Sequence, residues 1–213
     1  MKTPIAVLGL LIFLLTGCAS TYLKESSNVS KTKKQYDKIL IVAKAKDKLA
    51  RMKFEDQVVK DFAVLGIKAE SSMSIIQTES FAKEITDEEI QKLRDKLIQD
   101  GYSGVLITNL INTAQYTDVS PGNTGTAYIP VRYGRFGRYY GAYPVSYWEA
   151  DQVQTGVVHT LESCLYDIAT TDQKDNLQWV GRFQVKDPGS LVKTIEKYSK
   201  ELTDALVAES ISL

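Results

Sequence analysis

The alternation of strand-type and helix-type segments in the first half of this chain constrains its fold most strongly. Residues 39–43 and 104–111 are continuous apolar runs, which are typical of strands covered on both faces of a sheet. Residues 51–65 and 85–101 instead repeat their apolar side chains with helical spacing, and a weaker strand is indicated at 67–71. This order predicts strands that alternate with helices packed on a sheet.

Each of these two helices is predicted to have one apolar face and to end at a glycine. Gly66 and Gly101 suit the left-handed conformation that stops a helix, and Thr86 with Glu89 forms a capping box at the start of the second helix. The apolar faces consist of Phe54, Val58, Phe62 and Leu65 in the first helix and of Ile90, Leu93 and Leu97 in the second. We expect both faces to be buried.

The second half of the chain predicts antiparallel strands and a last helix. Residues 153–168 read as a long strand and 171–176 as a hairpin turn. Apolar and polar residues then alternate, with Trp179 on the apolar face. Asp187 is expected to cap the last helix and Pro188 to occupy its first turn. The buried stripe of that helix would consist of Leu191, Ile195, Tyr198, Leu202 and Leu206.

These elements predict an α+β fold for residues 36–213. The predicted architecture is a single domain with a mixed, mostly antiparallel sheet and helices packed on it, in the order β-α-β-α-β, an insertion at 113–150, then β-β-α. The sequence pattern indicates no long amphipathic strands, which argues against a membrane pore.

The first eighteen residues have the composition of an export signal. Lys2 gives a positive start, and the apolar stretch that follows is shorter than the about 20 residues that span a bilayer as a helix. It ends in Leu15-Thr16-Gly17-Cys18, which resembles the lipobox of bacterial lipoproteins. The resemblance implies that residues 1–17 are a signal peptide and that Cys18 receives a diacylglycerol and a further acyl chain such as palmitate. The alternative is a plain signal peptide, or a buried amino-terminal strand, with a chance cysteine.

Residues 18–35 are expected to form the lipidated cysteine and a flexible tether, because they are polar, rich in Ser, Thr and Lys, and aperiodic. In enterobacteria an Asp after the lipidated cysteine retains lipoproteins in the inner membrane, so Ala19 favours the outer membrane. The absence of acids after it favours the periplasmic face. In a Gram-positive cell the anchor would hold the protein on the outer face of the cytoplasmic membrane. The balance of 26 basic and 26 acidic residues does not favour nucleic acid binding.

Several segments of the folded region are similar to bacterial envelope lipoproteins whose domain is related to the amino-terminal domain of TolB. The similar segments are 38–42, Phe54-Glu55, 101–107, 165–167 and Trp179. The curli-secretion lipoprotein CsgG and the lipoprotein activators of penicillin-binding proteins have that domain shape. The resemblance covers about residues 36 to 210 and implies a fold rather than an activity.

The segment 113–150 has a composition unlike the rest of the chain. It holds seven of the twelve tyrosines, and it contains no acidic residue between Asp118 and Glu149. Tyr and Arg are enriched where proteins bind partners. The candidate binding residues are Arg132, Tyr133, Arg135, Phe136, Arg138, Tyr139, Tyr140, Tyr143, Tyr147 and Trp148. The segment is either a contact surface for a protein, a glycan strand or a peptide stem, or a long loop or irregular hairpin whose aromatic residues pack over the sheet edge.

No sequence motif predicts catalysis. Gly-x-Ser-x-Gly and glycine-rich phosphate loops are absent, and His159 is the only histidine. If Cys18 is lipidated, Cys164 is left without an intrachain partner and is either a packed thiol or the site of an intermolecular disulfide. We therefore expect a non-enzymatic protein with no cofactor and no metal.

The sequence favours a membrane-anchored periplasmic lipoprotein that acts as a non-enzymatic accessory or binding module of the cell envelope. Its expected partners are the membrane, through the lipid, and an envelope protein or peptidoglycan. The alternative is an oligomerising structural or assembly lipoprotein of a secretion or envelope complex. An envelope hydrolase is a third hypothesis with less support.

Overall fold

The computed structural model describes residues 21–76, 86–122, 124–132, 140–170 and 176–212, with the backbone alone for 126–132, 140–145 and 147. The strands are β1 Leu23–Asn28, β2 Ile39–Lys44, β3 Ala69–Ser71, β4 Gly104–Ser120, β5 Thr124–Arg132, β6 Tyr140–Trp148, β7 Gln152–Asp167 and β8 Leu177–Lys186. The helices are α1 Lys48–Val64, α2 Asp87–Gln99 and α3 Leu191–Glu209, with a 3-10 turn at Ser72–Ser74.

The chain divides into two compact units. The first consists of residues up to 112 and from 159 onward, and the second of residues 113–158. The three helices, β1, β2, β3 and β8 belong to the first unit, β5 and β6 belong to the second, and the long strands β4 and β7 contribute to both. The second unit starts where the predicted insertion starts and ends eight residues after it.

Among the described residues, six strands form a mixed sheet in the order β1-β8-β7-β4-β2-β3. β2 pairs in parallel with β3 and with β4, and β1 pairs antiparallel with β8. Helical connections between β2, β3 and β4 give the chain the length that parallel pairing requires. The sheet and the three described helices confirm the predicted α+β fold.

Strand β2 separates two apolar layers of the first unit. Its residues Ile39 and Ile41 face a core that α1 and α3 cover, where the rings of Phe54 and Tyr198 meet edge to face at 5.4 Å between centroids. Leu40 and Val42 point to the opposite face, which belongs to a smaller cluster with α2. This alternation explains why residues 39–43 are apolar without interruption, because both sides of the strand are covered.

The helix ends follow the sequence signals. Gly66 and Gly101 have φ values of +76° and +83°, and each lies just past its helix in a Schellman arrangement of backbone hydrogen bonds. The capping box also forms, because the Glu89 N–H donates to Thr86 Oγ1 over 3.3 Å while the Thr86 N–H donates to the Glu89 carboxylate over 3.0 Å. The start of α3 differs from the prediction, since Ser190 is its cap residue and Asp187 lies in a loop with φ of +46°.

The predicted tether is shorter than residues 18–35, because residues 23–28 form β1 and pair with β8. The Glu201 carboxylate accepts hydrogen bonds from the backbone N–H groups of Tyr22 and Leu23 over 2.7 and 2.9 Å, which ties the start of β1 to α3. Residues 23–28 have few apolar side chains, which suggested a flexible segment, but backbone hydrogen bonds to β8 hold them in a strand.

Lys34, also within the predicted tether, makes an ion pair with the buried carboxylate of Asp167 at the end of β7. Burial alone would raise the pKa of Asp167. Hydrogen bonds from Lys34, from the Thr170 hydroxyl and from the Ala169 N–H nevertheless hold this pKa below its ordinary value. The ionised form of Asp167 is therefore favoured in the folded protein.

The segment 113–150 is not an irregular loop in its described part. β4 and β7 have 17 and 16 residues, and the nine-residue strands β5 and β6 pair antiparallel between them in sequence. β4 extends beyond the predicted strand 104–111, up to Ser120, whereas β7 agrees with the long strand predicted at 153–168. Repeated Gly and Pro obscured the strand pattern, because both are rare in strand interiors.

Candidate functional site

Five of the ten predicted contact residues lie in β5 and β6, namely Arg132, Tyr140, Tyr143, Tyr147 and Trp148. The backbone register places Arg132 opposite Tyr140 and Trp148 opposite Thr124.

The remaining predicted residues fall between β5 and β6 or at the chain start. Tyr133, Arg135, Phe136, Arg138 and Tyr139 lie outside the described residues, and so does the lipidation residue Cys18. Their proposed roles remain predictions.

Apolar side chains in the second unit are exposed where β4, β6 and β7 begin or end. Trp148 is 69% exposed and Val153 is 64% exposed, and Val119 is also exposed. The Gly122 N–H donates to Asp151 Oδ1 over 2.7 Å, and a Cβ on Gly122 would lie 1.7 Å from the Glu149 carbonyl oxygen, so only glycine fits there. The exposed side chains therefore flank a close backbone contact.

A second candidate site, which the sequence did not indicate, lies in the first unit between α2 and the sheet. It is a groove of about 460 Å³. The register pairs Leu40 with Val105 and Val42 with Ile107, so these side chains share a face. The groove floor consists of Leu40, Val42, Val105 and Ile107, with Tyr166 and Ile168 from the end of β7.

The wall of the groove is the apolar face of α2. Leu97 is 4% exposed and contacts the sheet, whereas Ile90 is 52% exposed, and Ile90 and Leu93 line the opening. The prediction that the whole Ile90, Leu93 and Leu97 stripe is buried is therefore wrong at its amino-terminal end. The predicted faces of α1 and α3 are also each exposed at one residue, Leu65 and Leu191 respectively.

Two cations and an amide interrupt the apolar lining. Lys44 continues the row of Leu40 and Val42 on β2, and it has no ion-pair partner among the described residues. Arg94 on α2 donates from Nε to the Ile168 carbonyl over 2.9 Å and from Nη2 to the Thr170 carbonyl. Asn176 Oδ1 is buried and has no hydrogen-bond partner within the described part of the chain. No carboxylate belongs to the described lining.

The titratable groups at the groove do not form a nucleophilic site. Burial, together with the neighbouring Cys164, raises the pKa of Tyr166 to about 12. Burial also raises the pKa of the half-buried Cys164 thiol, and the Glu162 carboxylate adds to this effect. Both groups are therefore protonated at neutral pH, and a protonated thiol is a poor nucleophile.

A buried ion pair lies on the other side of β2. Arg51 and Glu55 on α1 are fully buried, and Arg51 Nε donates to Glu55 Oε1 over 2.9 Å. The same carboxylate accepts from the backbone N–H groups of Ala43 and Ser72 over 2.9 and 2.8 Å. The Ser71 hydroxyl also donates to it, over 2.7 Å. These bonds fix the end of β2 and the 3-10 turn against α1, a structural role that the spacing of four residues between Arg51 and Glu55 could have indicated.

The described residues contain no group of three or more His, Cys, Asp and Glu side chains that could hold a metal ion. No helix in the described ranges is long and apolar enough to cross a membrane.

No protein family and no curated protein matches the chain. Among solved structures, it is similar to a PelC dodecamer from Paraburkholderia phytofirmans, with a TM-score of 0.44, 8% identity and coverage of 85% of this chain and 94% of that one. A variant of that dodecamer has a TM-score of 0.43 and 9% identity, with coverage of 84% of this chain and 94% of that one. A PDZ domain protein from Parabacteroides distasonis has a TM-score of 0.29 and 10% identity, with coverage of 83% of this chain and 34% of that one. Similarities this weak carry no conclusion about activity, partners or assembly.

Proposed function

We propose that this chain is a lipid-anchored lipoprotein of the bacterial envelope, attached through Cys18 to the periplasmic face of the outer membrane. The sequence Leu15-Thr16-Gly17-Cys18 after a short apolar stretch supports the anchor. Cys18→Ala should abolish lipidation and release the protein from the membrane fraction. Metabolic labelling with an alkyne fatty acid tests this, with Cys164→Ala as the matched control. Equal labelling of the wild type and the Cys18 variant would rule out the anchor.

The folded part of the protein acts, in this proposal, as a non-enzymatic accessory or binding module whose contact surface lies within residues 116–148. The observation that carries the proposal is Trp148, which is 69% exposed in a unit that also exposes Val119 and Val153. Exposed tryptophans are rare on surfaces that bind nothing and are enriched among the residues that dominate binding energies. The partner class is an envelope protein or peptidoglycan.

The test uses Trp148→Ala in the full-length protein. An exposed side chain contributes little to folding, so the thermal midpoint should change little, while capture of the partner from envelope extracts should fall about 30-fold if Trp148 contributes about 2 kcal/mol. Trp148→Phe should retain most of the capture, and sedimentation with purified peptidoglycan distinguishes the two partner classes. Unchanged capture by Trp148→Ala, or a large drop in its thermal midpoint, would contradict a contact surface at this position.

A second candidate function is oligomeric assembly. The described sheet ends on β1 and β3, each of which pairs with one neighbouring strand, and end strands can pair with another chain. Sedimentation velocity of the full-length protein in detergent separates the two candidates, since an assembly role requires a defined oligomer without any added partner.

A further inference from the structure

We infer that the groove between α2 and the sheet binds the aliphatic chain of a single-chain anionic amphiphile such as a fatty acid. This site lies entirely within the first unit and is distinct from the contact surface proposed for residues 116–148. The inference rests on an exposed apolar wall, on the volume of the groove and on the charge of its lining.

The first observation is that α2 leaves its apolar face partly unused. Leu97 contacts the sheet and Leu93 packs against the same buried cluster, but Ile90 is 52% exposed. The floor opposite is largely buried, with Val42 only 4% exposed. An aliphatic ligand would cover the exposed part of Ile90, and removing apolar surface from water favours binding by about 25 cal/mol for each Å² that is buried.

The second observation is size. The groove has about 460 Å³, which lies within the range of small-molecule sites, about 300–1,000 Å³. The floor from Leu40 to Lys44 extends over about 13 Å, so it suits a narrow, extended ligand.

The third observation is charge. Lys44 ends the row of floor residues on β2, and Arg94 lies on the opposing wall, whereas no carboxylate belongs to the described lining. The Nε and Nη2 atoms of Arg94 already donate to backbone carbonyls, whereas Lys44 is exposed and makes no ion pair among the described residues. An anionic head group next to Lys44, with its chain directed along Val42 and Leu40, satisfies both the charge and the apolar row.

The experiment uses the full-length lipoprotein in phosphatidylcholine nanodiscs, because this bilayer carries no net charge of its own. The probe is palmitic acid with a diazirine in its chain and a terminal alkyne. After irradiation, the modified peptides are identified by mass spectrometry. We expect adducts on α2 and on the segment of β4 that contains Val105 and Ile107.

Two exposed isoleucines of α2 provide a matched pair of variants. Ile90 lines the groove, whereas Ile98, 39% exposed on the same helix, does not. Ile90→Glu places a charge in the apolar wall and should reduce the adduct yield about tenfold, the change that corresponds to losing about 1.4 kcal/mol of apolar contact. Ile98→Glu should leave the yield nearly unchanged. Thermal melts establish that both variants remain folded.

The role of the head group is tested with a second pair. Lys44→Glu should reduce labelling by the acid probe but not labelling by the matching fatty alcohol. The control is Lys46→Glu, which lies two residues further along the chain and outside the lining, and it should not change labelling by either probe. Because Lys44 is exposed, this pair also tests the inference if Ile90→Glu fails to fold.

Three results would overturn the inference. Adducts spread over the surface, or equal yields from Ile90→Glu and Ile98→Glu, would show that the groove is not the binding site. Equal labelling by acid and alcohol, with no effect of Lys44→Glu, would exclude an anionic ligand. Protection of the groove by an envelope peptide but not by unlabelled palmitate would identify a peptide as its occupant.

Discussion

Replacing Glu55 by Gln should destabilise the first unit far more than its conservative size suggests. Glu55 is fully buried with Arg51, and its carboxylate oxygen Oε1 accepts a hydrogen bond from Arg51 Nε over 2.9 Å. The amide of Gln offers one acceptor oxygen and two donor hydrogens in place of two acceptor oxygens. The substitution therefore removes the negative charge that faces the buried Arg51 guanidinium.

The expected magnitude follows from the contacts that are lost. If the Gln oxygen takes the Oε1 position, it can still accept from Arg51 and from the Ala43 N–H, which lies 2.9 Å away. Its NH₂ group then faces the Ser72 N–H, which donates to Oε2 over 2.8 Å in the wild type, so two donors are opposed. Breaking one side of a buried ion pair lowers the free energy of unfolding by about 3–5 kcal/mol, and we expect Glu55→Gln to fall in this range.

Urea denaturation of the full-length protein measures this change, with Glu25→Gln as the control. Glu25 pairs with Arg182 at the surface, where both side chains are at least half exposed, so its loss should leave the unfolding midpoint nearly unchanged. Adding Arg51→Met to Glu55→Gln should cost less than the sum of the single changes, because both partners of the buried ion pair are then replaced together. Equal midpoints for Glu55→Gln and Glu25→Gln, or strict additivity in the double variant, would refute the reasoning.

Four further substitutions, one of them a control, test the fold by urea denaturation. Thr86→Ala should lower the free energy of unfolding by about 1 kcal/mol through loss of the cap, whereas Ser190→Ala should not, because Ser190 makes no side-chain capping bond. Trp179→Ala should cost about 3–5 kcal/mol, because its side chain is fully buried, and a smaller loss than that of Thr86→Ala would contradict this assignment. The lowered pKa of Asp167 means that its ionised form stabilises the fold above its unfolded pKa of about 4, and that this contribution is lost as the pH falls through the folded-state pKa. Asp167→Asn should therefore flatten the decline of stability below about pH 4, and an unchanged acid profile would exclude the Lys34 ion pair as its cause.

The parts of the fold that the sequence predicted are those set by local chemistry. The glycine stops at Gly66 and Gly101 and the capping box at Thr86 depend on backbone geometry within a few residues. The buried runs of β2 and β4 were recognisable because both faces are covered. β1 was not recognisable from the sequence, because its residues are mostly polar and it is held in place by pairing with β8, about 150 residues later in the chain. A local sequence pattern does not indicate pairing between such distant segments.

The candidate sites were predicted less well for the same reason. The composition of residues 113–150 identified an unusual segment, but it did not indicate that residues 124–132 and 140–148 pair as two antiparallel strands. The width of the groove depends on how closely α2 approaches the sheet. The spacing of Ile90, Leu93 and Leu97 does not indicate this distance, because the same apolar stripe suits a helix that covers the sheet fully and one that leaves Ile90 exposed.

The two faces of β2 show how one strand can combine a closed core with an open site. Ile39 and Ile41 are fully buried under α1 and α3, and the Arg51–Glu55 pair fixes the end of the strand on that side. That face does not depend on α2, so the sheet can keep its shape while α2 leaves Ile90 exposed. Ile90 is exposed aliphatic surface, which carries a free-energy cost in water, and a ligand that covers it would remove that cost. The α1 and α3 face therefore supplies the closed core of the unit, while the α2 face carries the site that we infer for an aliphatic ligand.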